Sequence, residues 1–387
     1  MTVPNNEPPR MKSGTVKTVP YIPAEKNRCF KSRKSSIFRI LWAQKVIFIC
    51  VKERGDDPLT KKRKDTDYLY LSARIRTMER RLLSASQLER MLLAADGAEA
   101  VRVLTDAGYE PFDPQSDEGL RRALLQEREK LFRELGDHAE SRELADVFRL
   151  KYDYHNVKVL LKSPEAERLL VDAGRVDAGT LSARHRESGA WDFLPPVLAH
   201  AAAEAERVLR QTGDPQRSDF LLDSAYFAEL TSLAKESRCE YLQRYVCAMI
   251  DAANLRSAIR TLRLGKPGNF LKELLVEGGT LSAEKVLTAA INRTVAATYH
   301  TTPFADAAEE GENVIRGGSL TRFEKLCDEA VNRCVAESKY VPFGPEVVIG
   351  YLAAKESELT SVRIIMAGRM AGLPAEQIRE RLREVYV

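Results

Sequence analysis

From residue 65 onward, apolar residues recur every three or four positions, the period that lines one face of an α-helix. Leu120, Leu124, Leu131 and Leu135 form one such stripe, and Leu144, Val147, Phe148, Val157, Leu160 and Leu161 form another. Helix starts punctuate these runs. "SQLE" (Ser86 to Glu89), "DGAE" (Asp96 to Glu99) and "TRFE" (Thr321 to Glu324) have capping-box spacing, and "SPEA" from Ser163 offers an N-cap serine followed by proline and glutamate. No stretch of residues 65–387 alternates with the two-residue period of a strand, so the pattern predicts an all-α body.

Three segments of that body share one form: an acid, two residues, Asn or Ser, an aliphatic residue and a base. They are "DYHNVK" (153–158), "DAANLR" (251–256) and "ELTSVR" (358–363), which start 98 and 107 residues apart. The likeness continues downstream, where "LLVDAGRVDAGTL" (169–181) matches "LLVEGGTLSAEKVL" (274–287), and "AGLPAEQIRERL" (371–382) is a weaker third copy. A period near 100 residues is too long for a two-helix solenoid unit. It predicts three similar multi-helix subdomains, with repeats around 67–180, 181–300 and 301–387, packed with approximate threefold character.

On a helix, Asn156 lies about 60° from Asp153, with Val157, Leu160 and Leu161 on the same side. Asp251 with Asn254 and Glu358 with Ser361 repeat this arrangement, whereas Lys158, Arg256 and Arg363 fall about 140° away. A carboxylate among aliphatic side chains costs several kcal/mol unless it is paired or hydrogen-bonded, so each acid is expected to meet donors from a neighbouring element. A catalytic group is needed once, but a packing device is needed at every equivalent interface. Asp153, Asn156, Asp251, Asn254, Glu358 and Ser361 are therefore expected to be structural repeat positions.

Composition narrows the classes of function. The chain has 387 residues, 44% of them hydrophobic, enough to bury a sizeable core. Its net charge of +4 hides an asymmetry: residues 1–64 carry 16 Lys or Arg against 5 Asp or Glu, and the remainder carries 44 against 51. An acidic body does not suit a nucleic acid. The basic first 64 residues lack periodicity and are expected to be disordered, or to lie upstream of the true translation start. Within them "IFRILWAQKVIFICV" (37–51) is broken by Arg39, Gln44 and Lys45, short of the roughly 20 apolar residues of a membrane span. The six cysteines form no C-x-x-C pair and read as reduced thiols.

Candidate chemistry is absent. His138, His155, His185, His200 and His300 show no metal-ligand spacing, and "GKPG" (265–268) lacks the residues of a phosphate loop. No catalytic, cofactor-binding or metal-ligating residue is expected, no cofactor, and no small-molecule substrate.

Several stretches resemble the C subunit of the bacterial and archaeal V-type ATPase/synthase, the counterpart of the eukaryotic d subunit. They are "DYLYLSARIRTMERRLL" (67–83), "LKYDYHNVKVLLKS" (150–163), "LVEGGTLSAEKV" (275–286) and "PFGPEVVIGYLAAKESELTSVRIIMAGRMAGLPAEQIRERLREVYV" (342–387). The resemblance implies a funnel-shaped, non-catalytic adaptor on the cytoplasmic face of the membrane. It implies one copy in a hetero-oligomeric complex, with the central-stalk D and F subunits and the membrane proteolipid ring as partners. The adaptor would transmit torque during proton or sodium ion translocation. Apart from that resemblance, the same pattern fits a helical-repeat scaffold that binds other proteins.

Overall fold

Local chemistry starts and stops sixteen α-helices in the computed structural model, which describes residues 64–384 and 386, apart from 137 and 164. They are α1 (Leu69–Glu79), α2 (Ala85–Leu93), α3 (Gly97–Asp106), α4 (Asp117–Gly136), α5 (Ala139–Lys162), α6 (Ala178–Ser188), α7 (Pro196–Thr212) and α8 (Pro215–Glu236). There follow α9 (Glu240–Arg263), α10 (Gly268–Leu274), α11 (Ala283–Ile291), α12 (Val295–Tyr299), α13 (Ala305–Ile315), α14 (Leu320–Ala336), α15 (Pro345–Met370) and α16 (Ala375–Arg379). Short 3₁₀ turns cover Asp65–Tyr68, Glu167–Leu169 and Glu337–Tyr340. No strand occurs among the described residues, so the fold is all-α. The expected basic extension lies, but for Lys64, outside them.

The helix starts differ in part from expectation. The capping box of α2 sits two residues early, at Ser84 and Gln87, not Ser86 and Glu89. Starting there turns Leu88, Met91 and Leu92 into the core. Asp96 caps α3 as expected, accepting the Glu99 amide, while the Glu99 carboxylate takes the Ala95 amide. Thr321 and Glu324 form no box. α14 starts after Ser319, and Glu324 is drawn instead into ion pairs with Arg256 and Arg260. Ser163 ends α5 and begins no helix.

Three apolar clusters hold these helices. One joins α1, the second half of α4, α5, α7, α8 and the first halves of α9 and α15. A second joins the remainder of α9 to α11, α12, α13 and α14. The third draws on opposite ends of the chain: Leu83, α2, α3 and the start of α4 pack on Leu359, Val362, Ile365 and Met366 of α15 and on Ile378 of α16. Full burial of each such aliphatic side chain contributes about 1.5–3 kcal/mol. Helices α9 and α15 each serve two clusters, which is why neither has a single apolar stripe. α15 buries every residue from Val347 to Lys355.

Candidate functional site

The repeated segments lie on the three long helices α5, α9 and α15, and all six repeat positions are buried. Asp153, Asp251 and Glu358 are 1%, 2% and 7% exposed, and Asn156, Asn254 and Ser361 are 0%, 0% and 3% exposed. Each acid is satisfied by an element from outside its own helix.

On α5, Asp153 Oδ1 accepts the backbone amides of Arg175 (2.8 Å) and Val176 (3.1 Å). Its Oδ2 accepts the Arg175 guanidinium at 2.7 Å. Arg175 also donates to Glu229 of α8 at 2.9 Å, and Glu229 accepts the Tyr154 hydroxyl at 2.9 Å. Asn156 pairs with both backbone groups of Val171, donating to its carbonyl (2.9 Å) and accepting its amide (2.8 Å). Burial pushes the Asp153 pKa above the ordinary carboxylate value, against the pull of Arg175 and the two amides.

On α9 the acid and the asparagine again bind backbone groups of a downstream loop. Asp251 accepts the amides of Thr280 (3.0 Å) and Leu281 (3.3 Å). Asn254 donates to the Val276 carbonyl at 2.8 Å and accepts its amide at 2.9 Å. No cation pairs with Asp251 among the described residues, and burial raises its pKa against those amides.

Both loops approach their acid through a glycine. A Cβ on Gly174 would stand 2.2 Å from Asp153 Oδ1, and one on Gly279 would stand 2.3 Å from Asp251 Oδ1. Glycine is needed there for close approach of backbone to carboxylate, not for a left-handed backbone. Beyond each glycine a helix begins. Asp177 caps α6 by accepting the Thr180 amide, and Ser282 caps α11 by accepting the Lys285 amide.

On α15 the acid is longer and its surroundings are charged. Glu358 Oε2 accepts the Leu83 amide at 2.6 Å, and Oε1 accepts the Tyr109 hydroxyl at 2.6 Å and Lys355 Nζ at 2.7 Å. Lys355 also pairs with Glu127 of α4 at 2.9 Å. Burial alone would lower the lysine pKa, but Glu358 and Glu127 more than offset it and hold the group charged. Ser361 bridges nothing: its hydroxyl donates to the Ser357 carbonyl of its own helix at 3.0 Å. The downstream segment 371–382 does not reach Glu358. The donor comes from the other end of the chain.

Bases of the repeated segments point elsewhere. Lys158 pairs with Asp223, Arg256 pairs with Glu324 and Asp328, and Arg363 is exposed. His155 is exposed, with Nε2 3.1 Å from the Leu169 carbonyl. His185 stacks on Trp191, and burial lowers its pKa. Cys239, Cys247, Cys327 and Cys334 are free thiols, and burial pushes Cys327 up to about 12, far from a reactive thiolate. Among the described residues no three His, Cys, Asp or Glu side chains converge where they could hold a metal ion. A cleft of about 130 Å³ runs between α14, α15 and Tyr386.

Sequence reasoning missed Arg175 and Glu229 as partners of Asp153, and Lys355, Tyr109 and Leu83 as partners of Glu358. Lys355 stands three residues before Glu358 on the same helical face, a spacing that could have found it. No described helix is long and apolar enough to cross a membrane.

The family described as ATP synthase (C/AC39) subunit matches residues 71–381. The C subunit of the V-type sodium ATPase of Enterococcus hirae is 24% identical over 330 residues, covering 83% of this chain and 99% of that protein. The C subunit of the V-type ATP synthase of Thermus thermophilus is 26% identical, covering 82% and 98%. The C subunit of the A-type ATP synthase of Haloferax volcanii is 25% identical, covering 81% and 96%.

Proposed function

The chain belongs to the ATP synthase (C/AC39) subunit family, and we propose that it joins the central stalk of a V-type rotary ATPase or synthase to the membrane proteolipid ring and carries torque between them. It is a structural, non-catalytic subunit, and the catalytic sites lie in other subunits of the complex. Its partners in this role are the stalk D and F subunits on one side and the ring on the other, with one copy per complex on the cytoplasmic face.

What supports this role most is the way the chain uses its buried acids. The three repeat acids, Asp153, Asp251 and Glu358, each hold a backbone amide from outside their own helix. Fixed carboxylate–amide contacts in a close-packed interior resist shear, which an adaptor under torque requires and an enzyme does not. Three like units about an approximate threefold axis, forming a funnel, would suit a shaft seated on a ring.

A test is to tag this chain and isolate membranes in mild detergent. Stalk and ring subunits should co-purify with it, and its deletion should leave ATP hydrolysis by the soluble head running while ion transport stops. Recovery without any stalk or ring subunit, and with ion transport intact after deletion, would favour the helical-scaffold alternative.

A further inference from the structure

The amide that Glu358 holds belongs to a particular position. Leu83 immediately precedes Ser84, the N-cap of α2, which accepts the Gln87 amide. Val176, held by Asp153, immediately precedes Asp177, the N-cap of α6, and Leu281, held by Asp251, immediately precedes Ser282, the N-cap of α11. The strings agree as well: "LSASQL" (83–88), "LSAEKV" (281–286) and "VDAGTL" (176–181). In two cases continuous chain of 23 and 30 residues joins the acid to the capped helix. In the third the separation is 275 residues, and the helix comes first.

We propose that α2 is the missing capped helix of the third unit, so that the helical body is a ring of three like units closed non-covalently by a clasp between Leu83 and Glu358. Unit one then runs from α5 to α8, unit two from α9 to α14, and unit three from α15 and α16 back to α2, α3 and α4. The third apolar cluster, drawn from both ends of the chain, is the core of that composite unit.

The clasp carries ties that the Asp251 unit lacks. Lys355 and Tyr109 add to the bonds on Glu358. At the other end of α2, Arg369 of α15 donates to the Leu92 and Ala94 carbonyls, both at 2.9 Å, and Arg379 of α16 pairs with Glu89. Arg369 meets the carbonyl end of a helix, where a cation is favoured. A loop tethered by 30 residues or fewer is held near its acid by the chain, whereas α2 must find its place from far along the sequence and needs more to hold it. In this unit the two halves come from opposite ends of the body, and opening would uncover Leu83, Met91, Leu92, Val362 and Ile365.

Fragment-resolved hydrogen exchange on the full chain tests the clasp. Glu358→Gln should speed exchange in residues 83–93 by about tenfold or more and leave 280–291 nearly unchanged, while Asp251→Asn should do the reverse. Acceleration at 371–382 with none at 83–93, or equal acceleration everywhere, would overturn the proposal. Should the variants not fold, the unmodified chain still decides: the Leu83 amide should be as protected as those of Val176 and Leu281, and exchange at the rate of an open amide would refute the clasp.

Discussion

Asp251 and Glu358 occupy matching points on two long helices, yet one is held by neutral amides alone and the other sits in a cluster of charge. Asp251 meets the amides of Thr280 and Leu281 in a loop on its own stretch of chain, with Asn254 pinning Val276 one turn away. Glu358 reaches an amide from the start of the body with the help of Lys355 and Tyr109, and Ser361 beside it bonds only within its helix. At Asp251, where the loop follows on the same stretch of chain, a short acid and an asparagine are enough. Where the partner arrives from far along the sequence, a longer acid and a buried cation take over.

The sharpest way to undo this contrast is to remove the cation. Lys355→Met leaves Glu127 and Glu358 buried with less compensation and should cost about 3–5 kcal/mol in denaturant unfolding. A loss below about 1 kcal/mol would mean that the charged seam is not what holds α2. Next, Asn254→Ala strands the amide and carbonyl of Val276 and should cost about 3 kcal/mol. Gly279→Ala forces a methyl group against Asp251 and should cost about 1–3 kcal/mol, with faster exchange confined to residues 276–291 as its signature. By contrast, Ser361→Ala removes a hydroxyl that serves only its own helix and should cost less than about 1 kcal/mol. Similar losses for Asn254→Ala and Ser361→Ala would erase the difference between the two seams.

The smallest expected effect is a pH slope. Burial raises the folded-state pKa of Asp251, so folding favours a proton there. Its contribution is therefore full below the ordinary carboxylate pKa and is lost as pH rises through the raised value. The stability difference between the unmodified chain and Asp251→Asn should accordingly shrink as pH rises, as read from paired denaturation curves. A difference that grows with pH would reverse the sign.

The helices and the burial of the repeat acids Asp153, Asp251 and Glu358 were legible from apolar period and spacing because both are local properties of a helix. What lies across the fold was not. Glu229 and Lys355 are charged residues that propensity alone would assign to the surface, and only packing against Arg175 or Glu358 explains their burial. The segment 371–382 is the weaker third copy of the loops that meet Asp153 and Asp251, but the amide that meets Glu358 is that of Leu83. The match of "LSASQL" to "LSAEKV" stood in the sequence, but it lies before the acid and not after it. The misplaced boxes at Ser86 and Thr321 have a tertiary cause too. Packing of Leu88, Met91 and Leu92 sets the start of α2, and Arg256 claims the carboxylate of Glu324.

Whether the buried acids hold the fold or do chemistry is decided by the unfolding temperatures of Asp153→Asn, Asp251→Asn and Glu358→Gln, read side by side with ATP-driven ion transport by membrane complexes that contain them. All three substitutions should lower the unfolding temperature, and transport should fall only in step with lost protein. Two silent substitutions and a third that abolishes turnover at unchanged stability would refute the structural role.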